Sequence, residues 1–161
     1  GRAVGMKRGL QRLHQHHGRA NVVLGRGYHY ATAFELSLKV NELTHLLAEP
    51  YSTADFMHGP LAVIEPGFPV VVIDIGQTFR DEITALRKSL IDKHASVIVF
   101  TDRPDEMHSG ELAVPVPSNL PEAFTPIPAI VPAQIMAFHL ARARGLDPDR
   151  PRSIQKVTET Y

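Results

Sequence analysis

Apolar positions along this chain change their spacing repeatedly, and each change marks an element. Residues Ala3 to His17 set Val4, Met6, Leu10 and Leu13 among basic residues at helical spacing, which predicts a helix ending at Gly18. Asn21 to Leu24 is a short β-branched run stopped by Gly25-Arg26-Gly27, the pattern of a strand entering a glycine turn. Helical spacing returns from Tyr28 to Leu47, with Ala31, Phe34, Leu38 and Leu43 among its apolar positions and Pro50 as the stop. Val70-Val71-Val72-Ile73 is apolar without alternation, as expected of a strand covered on both faces. Phe79 to Lys93 then reads as a helix, Ser96 to Phe100 as a second buried strand and Leu112 to Val116 as a weaker third. Ala129 to Arg144 reads as a last helix ending at Gly145, followed by a polar tail from Leu146 to Tyr161.

Strands separated by helices require crossover connections. The expected fold is therefore α/β: a parallel sheet between two helical layers, an α/β/α sandwich. In such sheets ligands gather beyond the carboxyl ends of the strands, which directs attention to the loops after Leu24, Ile73 and Phe100. Six prolines between Pro115 and Pro132 predict one irregular crossing before the last helix, with no domain boundary there. The expected organisation is a linking helix over 1–18, one domain over 19–147 and a closing tail over 148–161.

Composition narrows the function. With 161 residues, 43% of them hydrophobic and 21% charged, the chain is long and apolar enough to bury a core as a compact soluble domain. Seventeen Lys and Arg balance seventeen Asp and Glu, which excludes a broad cationic surface for nucleic acid. No cysteine is present, so disulfides and thiolate metal sites are excluded, in keeping with a cytoplasmic location. Unbroken apolar runs such as Val70 to Ile73 fall far short of the ~18–20 residues that span a bilayer.

Three groups of residues carry candidate chemistry. Gly25-Arg26-Gly27 either offers the N–H groups of a helix start to a phosphate or carboxylate, or is simply a tight turn; it lacks the third glycine of a dinucleotide fingerprint. Glu35, Lys39 and Glu42, at i, i+4 and i+7, form one charged stripe. It is either a solvated face or a carboxylate base kept ionised by an ammonium. His58, before Gly59-Pro60, could transfer protons near neutrality. His14, His16 and His17 suggest a metal group, but only His14 and His17 share a helix face and no carboxylate joins them, so no metal is expected.

Together these groups form a pattern. The run from Leu24 to Ile64 resembles the second sugar-isomerase (SIS) domain of glucosamine-6-phosphate synthases, also called glutamine–fructose-6-phosphate aminotransferases (isomerizing), and of their relatives. The resemblance covers Asn21 to Tyr161. It rests on the glycine turn Gly25-Arg26-Gly27, on E-x-x-x-K-x-x-E at Glu35, Lys39 and Glu42, on A-E-x-Y…H-G-P-L-A from Ala48 to Ala62, and on Pro151-Arg152 followed by Lys156. It implies the SIS, flavodoxin-like topology and a sugar phosphate as ligand, with no cofactor. It further implies that Glu42 moves a proton between C1 and C2 of the open-chain sugar, that His58 assists ring opening and that Lys156 forms an imine with the ketose. Glu35, Lys39 and the Gly25-Arg26-Gly27 turn would support that site. Aldose–ketose chemistry independently suits these residue types, since one carboxylate can shuttle the proton through an enediol.

The pattern also departs from the family. After Ile73 the chain has Asp74-Ile75-Gly76-Gln77-Thr78, without the serines that hold the sugar phosphate in the first SIS domain, and no glutaminase domain or N-terminal cysteine is present. The resemblance therefore implies a preceding SIS domain and a homodimer partner. The ending Lys156-Val157-Thr158-Glu159-Thr160, with Ala54-Asp55-Phe56 before Met57-His58, is closer to glutaminase-free relatives such as glucosamine-6-phosphate deaminases and deglycases. A sugar-phosphate sensor, as SIS domains are in some transcription regulators, and a purely dimerising half are the competing classes. The full charged stripe and Lys156 speak against the sensor, which needs binding but no proton shuttle.

Overall fold

In a computed structural model, described over residues 20–117 and 119–150, five parallel strands lie in the order β2-β1-β3-β4-β5. They are β1 (Ala20–Gly25), β2 (Leu47–Ser52), β3 (Pro69–Asp74), β4 (Ser96–Thr101) and β5 (Leu112–Pro115). The helices are α1 (His29–Thr44), the short α2 (Thr53–Met57), α3 (Arg80–Asp92) and α4 (Pro126–Ala143). The order is that of flavodoxin-like doubly wound sheets, reversing direction between β1 and β3. The α/β reading therefore holds, while the helix expected over 3–17 and the tail beyond 150 lie outside the described residues.

The central strands explain the three layers. Val70 to Ile73 and Val97 to Phe100 are buried on both faces, so each face of the sheet needs its own cover. Ala33, Leu36 and Val40 of α1 join Ala129, Ala133, Met136 and Leu140 of α4 over Val23, Val71, Ile73, Ile98 and Phe100 on one face. On the other face Phe56 of α2 and Ile83, Leu86 and Leu90 of α3 cover Val22, Leu24, Val70, Val72, Val97 and Val99. Successive strand residues thus feed opposite cores.

Three expectations need correction. The helix read from Tyr28 to Leu47 ends at Thr44, with His45 in the left-handed region at φ 56°, and Leu47–Ser52 is a strand. Pro50 is therefore no helix stop: β2 pairs only with β1, and an edge strand tolerates a residue without an N–H. The last helix begins at Pro126, earlier than read, because prolines in a first turn remove no intrahelical bond. Finally, Ala31, Phe34 and Leu38 face outward, and the inner side of α1 carries His29, Thr32, Ser37 and Thr44 beside its aliphatic residues. Most of those inner polar groups are satisfied. The Thr44 hydroxyl donates to the Val40 carbonyl (2.6 Å) and accepts from the Leu46 N–H (3.2 Å).

Candidate functional site

Beyond β3 and β4 the charges bond one another, beside an open hollow of ≈ 260 Å³ lined by Thr101, Asp102, Pro104 and Asn119. Asp74, the last residue of β3, is buried between two arginines: Arg87 Nη1 lies 2.7 Å from its Oδ2, and Arg103 Nη2 lies 2.7 Å from its Oδ1. Arg87 also binds Glu111 (2.5 Å) and the Glu106 carbonyl (3.1 Å), and Arg103 binds Asp102 (2.8 Å). Burial works to lower the Arg87 pKa, yet its bonds to Glu111 and Asp74 hold it above the ordinary value. Sequence reading singled out none of these residues. A signal was present, because Arg87 falls in the buried stripe Ile83, Leu86, Arg87, Leu90, where a charge must find partners.

The loop after β3 is also poor as a phosphate cradle. The Gly76 N–H points at Asp102 Oδ2 (3.3 Å), and the Thr78 hydroxyl donates to Glu122 (2.6 Å). Gly76 has φ +90°, and a Cβ there would lie 2.9 Å from the Glu122 carboxyl carbon. Its donors already face carboxylates, which oppose an incoming anion.

The glycine turn has a packing role of its own. A Cβ on Gly25 would sit 2.2 Å from the His29 carbonyl oxygen, and one on Gly27, at φ +54°, would sit 2.7 Å from the Phe79 ring. The His29 N–H bonds the Arg26 carbonyl (3.0 Å) and the Tyr30 N–H bonds that of Gly27 (3.1 Å), so these two donors are occupied within the turn. Arg26 stacks over Phe79 (4.8 Å), donates to the Ser52 hydroxyl (3.3 Å) and pairs with Glu82 (3.3 Å). Each of these three residues thus has a contact or packing role within the turn itself.

Glu35, Lys39 and Glu42 are brought together. Lys39 Nζ lies 2.9 Å from Glu42 Oε2 and 3.9 Å from Glu35 Oε1, with all three side chains about a third exposed or less. The hydrogen bond to Glu42 is the main cause that raises the Lys39 pKa, so the ammonium stays charged. The stripe does not border the glycine turn. It runs down the outer side of α1, placing Glu42 about 20 Å along the helix axis from His29 at 1.5 Å per residue. Beside it Ala31, Phe34, Glu35 and Leu38 line an open hollow of ≈ 510 Å³. Phe34 (52% exposed) and Leu38 (47%) continue into Ile127, Val131, Ile135 and Phe138 on α4, an apolar outer surface. By length and composition α4 with its preceding turn (Glu122–Ala143) could also cross a membrane, but its alanine-rich side is packed against the sheet and α1.

His58 is not brought to the stripe. It caps α2, its N–H bonds the Asp55 carbonyl (3.2 Å), its ring is exposed, and α2 covers the opposite face of the sheet from α1. Lys156 and Arg152 lie outside the described residues. Among the described residues no cluster of three His, Asp or Glu side chains suits a metal ion.

Comparison with known proteins gives a consistent picture. The family described as SIS domain matches residues 17–142. The glutamine–fructose-6-phosphate aminotransferase (isomerizing) of Thermococcus kodakarensis is 36% identical over 133 residues, 83% of this chain and 22% of the relative. Its namesake 1 from Rattus norvegicus is 30% identical over 143 residues, 88% of this chain and 21% of the relative. This chain thus spans about a fifth of the length of these curated relatives. Among solved structures, the C-terminal domain of glucosamine-fructose-6-phosphate aminotransferase from Francisella tularensis superposes with a TM-score of 0.73 at 21% identity, over 91% of this chain and 42% of that one. A putative phosphosugar isomerase from Silicibacter pomeroyi gives 0.75 at 25% identity, over 91% and 44%.

Proposed function

The chain belongs to the SIS domain family, and from that premise we propose that it is the sugar-phosphate isomerase unit of a larger protein akin to the glutamine–fructose-6-phosphate aminotransferases. The observation that carries this reading is the Glu35–Lys39–Glu42 stripe, an ammonium held between two carboxylates beside an apolar hollow. A merely solvated face would not need apolar residues around it. In this reading Glu42 takes a proton from one of C1 and C2 of an open-chain sugar phosphate and returns it to the other through an enediol, with the Lys39 ammonium bonded to it at 2.9 Å.

The geometry shapes the rest of the proposal. Because α1 and α2 cover opposite faces of the sheet, the His58 that opens the sugar ring comes to the stripe from a second copy of the chain. The carboxylates of Asp102 and Glu122, which face the loop after β3, leave phosphate binding to another unit, for which the exposed apolar surface of α1 and α4 is the docking face. The solved neighbours above have room for such a unit, since this chain covers less than half of each. Lys156 supplies its amine, which condenses with the ketose carbonyl to an imine with loss of water. The domain runs over 19–147, with 1–18 linking it to the preceding unit and 148–161 closing the site, in a cytoplasmic protein. A second reading, a glutaminase-free deaminase or deglycase, is favoured by the ending Lys156-Val157-Thr158-Glu159-Thr160. Ammonia release from glucosamine 6-phosphate without glutamine present separates the two.

Glu42→Gln in the complete protein tests the shared core of both readings. Glutamine keeps size and hydrogen bonding but takes no proton, so washout of deuterium from C2 into solvent should stop while sugar binding persists. Washout at the wild-type rate would remove Glu42 from the base role.

A further inference from the structure

His58 sits on an element that cannot place itself. A helix of five residues is far below the ~12–15 at which isolated helices become even marginal, so α2 takes its position from tertiary ties. One tie is Phe56, fully buried and tilted against Tyr51 at 5.5 Å. That contact fixes the distance of α2 from the sheet but holds its apolar side only. The other tie is polar. Buried Thr53, the first residue of α2, donates its hydroxyl to Glu82 Oε1 at 2.5 Å. Among the described residues the His58 ring itself has no hydrogen-bond partner, so its direction follows the helix that carries it.

Glu82 is in turn held from the other side. Its Oε1 lies 3.3 Å from Arg26 Nε, and the Arg26 guanidinium is clamped between the Phe79 ring and the Ser52 hydroxyl. Phe79 can lie there because Gly27 has no Cβ. The turn after β1, the first turn of α3 and the end of β2 thus converge on one carboxylate, and that carboxylate fixes the start of α2.

We propose that Glu82, braced by Arg26 and bonded to Thr53, is the positioning residue for His58. The Gly-Arg-Gly turn then serves the reaction at a distance, by aiming a group on the neighbouring strand's extension rather than by touching substrate. The proposal rests on the reading of His58 as the ring-opening residue, and a double-mutant cycle in the complete protein tests the two separately. For interconversion of fructose 6-phosphate and glucosamine 6-phosphate, Thr53→Val should lower kcat about ten- to a hundredfold, the range a misplaced group produces, with KM within about twofold. Thr53→Ser, which restores the hydroxyl, should recover most of the rate. In a His58→Ala background Thr53→Val should cost nothing further, because both changes remove one function.

A Thr53→Val loss that persists undiminished on His58→Ala would overturn the proposal and leave His58 in its role, as would wild-type kcat in Thr53→Val when His58→Ala is impaired. Wild-type kcat in His58→Ala would overturn the His58 reading and this proposal with it. Should Thr53→Val fail to fold, Glu82→Gln is read through the same cycle. It keeps an acceptor for Thr53 but loses the charge that holds Arg26, so a smaller loss that vanishes on His58→Ala supports the proposal and no loss overturns it.

Discussion

The two most highly charged regions of the domain differ in how far their charges satisfy one another. Beyond β3 and β4, Asp74, Arg87, Arg103, Asp102 and Glu111 are buried or nearly so and bond one another at 2.5–2.8 Å. On α1, Glu35, Lys39 and Glu42 share one ammonium between two carboxylates, keep a quarter to a third of their side-chain surface open and border an apolar hollow. In the first arrangement the charges are taken up by one another; the second has carboxylate oxygens to spare and a surface that excludes water once covered. The general expectation for parallel sheets, that chemistry lies beyond the carboxyl ends of strands, would select the first region. Charge satisfaction selects the second.

If that contrast is right, the two regions respond oppositely to mutation. The largest effect is expected at Arg87→Leu, which strands Asp74 and Glu111 without their partner. It should cost about 3–5 kcal/mol of stability in urea unfolding, the usual result of breaking a buried pair. A loss under about 1 kcal/mol would show the network to be loosely held.

Acid should act near the same end of the sheet through His29. Buried at the start of α1, it contacts the Thr125 hydroxyl through Nε2 (2.9 Å) and the Thr32 hydroxyl through Nδ1 (3.4 Å). Its pKa is lowered chiefly by burial, against a smaller pull upward from Glu122 and Asp102. The unfolded chain therefore binds the proton first. Stability is whole above the unfolded value of 6.5 and falls as pH drops below it, by up to about 1.4 kcal/mol per pH unit from this group. Urea midpoints followed across that range in wild type and in His29→Gln should show this component only in the wild type.

On α1 the folded state should barely notice substitution while assembly and catalysis do. Leu38→Asp, on the exposed ridge, should change stability by less than about 0.5 kcal/mol yet weaken association with the proposed docking unit, measured by sedimentation velocity of the complete protein. Lys39→Met is expected to have the smallest effect on folding, within about 0.5 kcal/mol, because its ion pairs stay partly open to solvent. Its turnover should nevertheless fall well below that of wild type; equal losses of stability and turnover would return the stripe to a structural role.

These differences also explain what could be read before the fold was known. Val70 to Ile73 and Val97 to Phe100 announce a two-sided parallel sheet through composition alone, because a strand covered on both faces cannot alternate. The edge strand Leu47–Ser52 was hidden by Pro50 and by its continuity with the preceding helix pattern. In α1 both sides carry apolar residues, so periodicity could not tell Ala33, Leu36 and Val40, which enter the core, from Phe34 and Leu38, which do not. The stripe Glu35, Lys39, Glu42 was legible because helical spacing is local. That His58 lies across the sheet from it, and that Arg26 meets Glu82, depend on chain crossings that no local spacing encodes.

The central claim is that the stripe on α1 and His58 form one site across two copies of the chain. It is tested most directly by mixing the complete Glu42→Gln and His58→Ala proteins, each expected to be strongly impaired alone, and allowing their subunits to exchange. Hybrids regain one intact pair of residues. In a randomly mixed dimer, turnover of fructose 6-phosphate should recover to about a quarter of the wild-type level. A mixture in which native mass spectrometry shows hybrids but turnover stays at that of the parents would contradict the account.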